Sequence, residues 1–255
     1  MLDHERVPGA RRARLVAVRG GARLDPLLVG EPLAALADAC AVLPAPPFGY
    51  VQMTPRDGRS VVEDGSAPLE GSGSVSTRAW AVRWGGRADR VGPVLNNLPP
   101  GAVDDAVTEY AAQARRLGDR PLRLVVAVQR FLVPEVTLLC RAAPGCRSVR
   151  LRGCWGLAEA LDGAPHFDEW LLEGPDLDLR ESRVAAKLTA TAAGAAGTRR
   201  VAVRPGYRVR NVLHLPAVRA IAGQARVIAK SLRRPVEVEV GVRADGNWLL
   251  ACSPE

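Results

Sequence analysis

Hydrophobic and polar positions along the chain change period several times, and each change predicts an element. Residues 12–19, RARLVAVR, alternate and predict a strand. Residues 25–43 carry apolar residues at helical spacing. The proline-rich stretch 44–54 predicts an entry into an extended segment. Residues 76–84, STRAWAVRW, predict a strand, with GGRADRVG after it as a loop. Residues 99–118 carry the marks of a helix: Pro and Gly at its start, acids in its first turns, arginines in its last, Gly118 after it. Strands are predicted over 121–132, 136–142 and 147–155, followed by a short helix at GLAEAL. DEWLLEG and RESRVAAKLTAT predict extended pieces about a turn at Gly174-Pro175, and 197–205 alternate strictly. Residues 216–233 place Val218, Ile221, Ala222, Ala225, Ile228, Ala229 and Leu232 on one helical face. The last stretch, RPVEVEVGVRADGNWLLACSPE, predicts a hairpin turning at 245–247. Segment 55–74 is polar and rich in Gly and Ser, and predicts a loop or linker. Strands separated mostly by hairpins, with few helices, predict an α+β fold of mixed or antiparallel sheets with packed helices. A division follows at the linker, with residues 1–75 as an N-terminal lobe and 76–255 as the main region.

Length and composition sharpen this picture. A chain of 255 residues with 47% hydrophobic content can bury a large core, and 4% aromatics leave that core to Leu, Val and Ala. The net charge is +8, and only Lys187 and Lys230 among the 35 basic residues are lysines. A basic chain invites a nucleic-acid partner. Here the arginines are scattered along the sequence with few aromatics among them, which argues against that partner. The five cysteines form no C-x-x-C pair and the N-terminus lacks a signal-peptide pattern, so reduced thiols in a cytoplasm are expected. Cys140, Cys146 and Cys154 are conceivable metal ligands, but their spacings match no zinc pattern, and buried structural thiols are the simpler reading. No apolar run approaches a membrane span.

Candidate chemistry begins with Glu237 and Glu239, two residues apart and so on one face of a strand. Two such carboxylates repel. On spacing alone they are ordinary acids on a solvated strand face.

Taken in order, several segments resemble the N-terminal ATP-binding region of phosphoenolpyruvate synthase and pyruvate phosphate dikinase. The resemblance rests on VRGGARLDPLL (18–28), LPAPPFGYVQMT (43–54), AWAVRW (79–84), VVAVQRFL (125–132), CWGLAEAL (154–161), DEWLL (168–172) and the closing hairpin. It implies an ATP-grasp-like fold, two lobes about a nucleotide cleft, with ATP and Mg²⁺ as cofactors. It implies that Arg83, Gln129, Glu159, Lys187, Glu237 and Glu239 face the nucleotide, with Glu237 and Glu239 on the metal. Other family positions are altered: the opening lysine falls on Ala22, and the Gln and Arg of the final strand fall on Ala251 and Ser253. Phosphoryl transfer rests on positioning and charge neutralisation, and one electrostatic donor is worth roughly 3–4 kcal/mol in a transition state. The resemblance therefore implies either a stand-alone ATP-dependent phosphotransferase component with a separate acceptor, such as a phosphohistidine-carrying or substrate-domain protein, or a degenerate non-catalytic relative serving as a binding or scaffold subunit.

Overall fold

The computed structural model describes residues 11–19, 22–54, 60–63, 73–117, 123–161 and 166–255, with the backbone alone at 11–14 and 60–63. Gly20, Gly21, Gly118 and most of the expected linker at 55–74 lie outside the described residues.

In chain order the elements are β1 (Arg11–Arg14), β2 (Val16–Val18), α1 (Pro26–Val29), α2 (Glu31–Ala39), β3 (Phe48–Met53), β4 (Ser60–Glu63), β5 (Val75–Val82), β6 (Ala88–Leu98) and α3 (Val103–Arg115). They continue with β7 (Arg123–Arg130), β8 (Val136–Ala142), β9 (Ser148–Trp155), β10 (Asp168–Glu173), β11 (Asp178–Arg183), β12 (Thr189–Ala193), β13 (Thr198–Ala202), α4 (Leu215–Leu232), β14 (Val236–Arg243) and β15 (Gly246–Pro254). A short 3-10 turn, Ala158–Leu161, follows β9.

Two antiparallel sheets dominate. One has five strands in the order β2-β3-β7-β5-β6, and the other has six in the order β11-β10-β9-β8-β14-β15. The pair β1-β4 is parallel, and β12-β13 is a separate antiparallel ribbon. The fold class is the expected α+β, antiparallel sheets with a few packed helices. Strands β2 and β3, before residue 75, pair into the same sheet as β5, β6 and β7, which follow it.

The five-stranded sheet buries one face against α3. Val75, Ala79 and Ala81 of β5 meet Val107, Tyr110 and Ala114 of the helix in one apolar cluster. The Tyr110 hydroxyl, buried there, donates to the Pro93 carbonyl at 2.8 Å and lies 3.2 Å from the Thr77 hydroxyl. Aspartates at the start of α3 and Arg115 at its end complement the helix dipole. The opposite face, with Phe48, Trp80 and Val82, joins α2 in a second, larger cluster. That helix also packs on β15, so it wedges the two sheets together.

One face of the six-stranded sheet rests on α4. The apolar stripe read from the sequence is the buried stripe: Val218, Ile221, Ala222, Ala225, Ile228 and Ala229. Ile221 and Ile228, at 1% and 0% exposure, each contribute about 1.5–3 kcal/mol of burial. The helix ends on Arg233 in the left-handed region at φ 55°, with Pro235 two residues on. The helical pattern at 25–43 is broken in two at Gly30, whose φ is +83°. A Cβ there would lie 2.9 Å from Val82 Cγ2, so the break is where helix backbone meets β5 closely.

The expected loop after β5 is mostly strand: β6 starts at Ala88 and pairs with β5 along its length. Its Gly-rich, polar sequence suits an exposed edge, and its pairing comes from β5 rather than from its own propensity. All five cysteines are free thiols. Cys140, Cys154 and Cys252 are buried, and burial pushes the Cys154 and Cys252 thiols up to about 12. No helix among the described residues is long and apolar enough to cross a membrane.

Candidate functional site

Pairing register builds the site. In β14 the alternation sends Val236 and Val238 toward α4 and leaves Glu237 and Glu239 on the other face of the sheet. Opposite them on β15 stand Ser253 and Ala251, and on β8 stand Arg141 and Leu139. In β5 the same alternation sends Ala79 and Ala81 into the α3 core and Arg78 and Trp80 the other way. The two faces meet at a polar cleft of about 190 Å³.

Arg78 and Trp80 of β5, with Arg90 and Asn96 of β6, line one wall. Glu237, Glu239, Ala251 and Ser253 line the other, and Glu159 comes from the 3-10 turn after β9. Glu239 is 8% exposed and accepts from Arg78 Nη2 at 2.8 Å, tying the two sheets by a nearly buried ion pair. Glu237 accepts from Arg141 Nε at 2.8 Å, and Arg141 also reaches Glu255 at 3.0 Å. Its hydrogen bond to Glu237, reinforced by that charge, raises the Arg141 pKa. Glu159 accepts from Asn96 Nδ2 at 2.8 Å, while Asn96 Oδ1 accepts from Ser76 Oγ at 2.6 Å.

Three carboxylates and two guanidiniums from different elements therefore converge. Guanidiniums suit phosphate or carboxylate groups, and paired carboxylates suit a divalent cation. Among the described residues no cluster of three or more His, Cys, Asp or Glu side chains is arranged to hold a metal ion. The Glu237 and Glu239 carboxylates are each engaged by an arginine instead.

Of the residues singled out in the sequence, Glu159, Glu237 and Glu239 share this cleft. Gln129 is 8% exposed and lines a small apolar slot beside it with Phe48, Leu36 and Cys252. Its Nε2 has no partner among the described residues, and the slot's roughly 10 Å³ is the room one water needs. Arg83 lies beyond the end of β5. Its Nε meets Asp89 at 2.6 Å, and it lines a separate surface hollow with Leu27, Leu28 and Trp84. Lys187 is 1% exposed and buried against Asp168, with Nζ 2.5 Å from Oδ1 and 2.9 Å from the Ala185 carbonyl. Asp168 also accepts from the backbone N–H groups of Ala185 and Val212 at 3.0 and 2.8 Å. This cluster pins the chain between β11 and α4 to the start of β10.

Arg78, Arg90 and Asn96 escaped the sequence reading. The signal for Arg78 is the alternation in STRAWAVRW, which places it on the face of Trp80 and opposite Ala79. Nothing local marks Arg90 and Asn96, because the sequence at the start of β6 predicts a loop.

No protein-family model matches the chain, and no curated protein matches it by sequence. A structural likeness is found to D-alanine–D-alanine ligase from Bacillus anthracis, at TM-score 0.38 and 9% identity, covering 89% of this chain and 57% of the ligase. This chain thus spans little more than half of the ligase's length. The expected kinship with phosphoenolpyruvate synthase and pyruvate phosphate dikinase is overturned: no family model and no sequence match supports it. The segments that carried the resemblance are mostly short strands, and alternating Val, Ala and Arg is a pattern that many half-buried strands share.

Proposed function

We propose that the cleft between the two sheets binds the phosphate end of a nucleotide together with Mg²⁺. The observation that carries this reading is the convergence of Arg78 and Arg90 with Glu159, Glu237 and Glu239 on one polar hollow. Arg78 and Arg90 would take the phosphates by charge-assisted hydrogen bonds. Glu237 and Glu239 would hold Mg²⁺, which when bound neutralises phosphate charge. For this Arg78 must turn from Glu239 and Arg141 from Glu237, so the guanidinium and the cation exchange places on each carboxylate. The cleft, at about 190 Å³, falls below the roughly 300–1,000 Å³ of ligand pockets, so the base sits outside it or the sheets part.

The role supported best is binding without efficient phosphoryl transfer. Lys187, the one candidate point charge, is committed to Asp168 in the core rather than to the cleft. A phosphotransferase acting on a separate acceptor would need a further cation at the phosphates. The expectation of a phosphohistidine-carrying partner rested on the overturned kinship alone.

The test is thermal unfolding with Mg²⁺ and ATP against Mg²⁺ alone. At a hundredfold excess over Kd, ligand binding stabilises by about 2.7 kcal/mol. For a chain of this size that raises Tm by about 5–11 °C. The rise should vanish in Arg78→Ala/Glu239→Ala. An unchanged Tm at saturating Mg·ATP rejects nucleotide binding.

A further inference from the structure

The charge of this chain has a single origin. Between residues 184 and 235 there are eleven basic side chains and no acidic one, leaving 24 basic against 27 acidic in the rest. The net +8 thus comes wholly from one segment, which contains the β12-β13 ribbon, the turn after it and α4. Several basic residues of this segment elsewhere have partners: Lys187 is held by Asp168, Arg234 by Glu31 at 3.0 Å, and Arg226 by the carbonyls of Arg147 and Pro175. At the ribbon the case is different. Arg199, Arg200, Arg204 and Arg210 are exposed, and none of them pairs with a carboxylate among the described residues.

The fold also fixes a stacking surface among these arginines. Tyr207 is 46% exposed, with the Arg210 guanidinium 5.4 Å above its ring centroid. Trp155, distant in sequence, meets that ring edge-on at 5.9 Å, and its Nε1 donates to the Tyr207 carbonyl at 3.4 Å. Trp155 therefore holds the tyrosine in place. Val209 beside it is 71% exposed. Strand β13 pairs with β12 alone, so its outer edge has no partner strand among the described residues.

We propose that strand β13 and the 203–211 turn form a binding surface for single-stranded nucleic acid, with the exposed arginines on phosphates and Tyr207 and Arg210 stacking on unpaired bases. An edge strand flanked by arginines gives a track for a backbone, and a fixed aromatic beside it gives a base somewhere to lie. A duplex offers phosphates but no open base faces, so the tyrosine favours the single strand. The surface is separate from the cleft and does not depend on what the cleft holds.

The probe is a fluorescein-labelled oligouridylate, titrated by anisotropy at several salt concentrations, with a duplex of equal length and polyglutamate as competitors. Phosphate contacts by Arg199, Arg200 and Arg204 predict a slope of log K against log salt of about −2.1 for a single strand. Arg199→Gln/Arg200→Gln/Arg204→Gln brings that slope close to zero and weakens binding by at least about tenfold. Tyr207→Ala weakens binding and Tyr207→Phe retains it. These side chains are exposed, so melting temperatures should match the parent and report folding separately. The proposal is overturned by no binding at about 50 mM salt, or by both variants binding as the parent does. It is equally overturned if polyglutamate displaces the strand and Tyr207→Ala changes nothing, since the surface then serves an acidic protein.

Discussion

Replacing Lys187 by methionine separates two roles that a lone lysine could fill. In the structure the ammonium is buried against Asp168, the two side chains being 1% and 0% exposed. Methionine keeps the length and removes the charge, leaving the Asp168 carboxylate buried with two backbone N–H donors and no cation. Removing one partner of a buried ion pair costs about 3–5 kcal/mol. At about 2–4 °C per kcal/mol for a chain of this size, Tm should fall by roughly 6–20 °C. Lys187→Met/Asp168→Asn should recover part of that loss. Asparagine removes the stranded charge, but its single amide oxygen can accept from only one of the Ala185 and Val212 amides, which Asp168 receives on separate oxygens. Scanning fluorimetry with urea unfolding measures both. A single variant melting within about 2 °C of the parent, or a double variant no better than the single, refutes the pinning role. Nucleotide affinity lost while stability holds would instead return Lys187 to the phosphates.

Two further outcomes follow from local geometry. Cys146 is the exposed cysteine, and its hydrogen bond with Ser148 holds its pKa below 9.0. A maleimide should therefore label this thiol first in the native protein, with a rate that rises with pH to a midpoint below that value; Ser148→Ala should move the midpoint up, and mass spectrometry of the labelled peptides checks the site. Gly156 has φ +74°, and a Cβ there would sit 2.2 Å from the Thr191 carbonyl oxygen. Gly156→Ala should cost about 2–4 kcal/mol of unfolding free energy measured by urea titration, because the bridge to β12 and the turn carrying Glu159 must both shift.

The elements that could be read from the chain are those whose own period decides them. The α4 stripe and the strands β8, β9, β14 and β15 alternate against cores that bury one face each, so pattern and structure agree. Strand β6 could not be read, since GGRADRVG is polar and Gly-rich and becomes strand only because β5 offers it a ladder. The site divides the same way. Glu237 and Glu239 were marked by spacing within one strand. Arg78 was marked by the same rule but passed over for Arg83, which lies past the strand end and turns to Asp89. The role of Lys187 could not be read at all, because its partner Asp168 lies 19 residues away and is brought to it by pairing elsewhere. The arginines of the ribbon already stand close together in the sequence, at 199, 200, 204 and 210, and what folding adds is Trp155, which fixes Tyr207 among them.

Near the end of β6, two consecutive asparagines reach in different directions. Asn96 holds Glu159 at the cleft, while Asn97, in the left-handed region at φ 57°, donates to the carbonyls of Gly194 and Gly197 at the ribbon tip. The Gly197 amide returns a bond to the Asn97 carbonyl at 3.0 Å. A single peptide link thus laces the hollow and the arginine-bearing ribbon to one edge of the five-stranded sheet. Any motion that widens the hollow by drawing that edge away must carry the ribbon tip with it or break three hydrogen bonds.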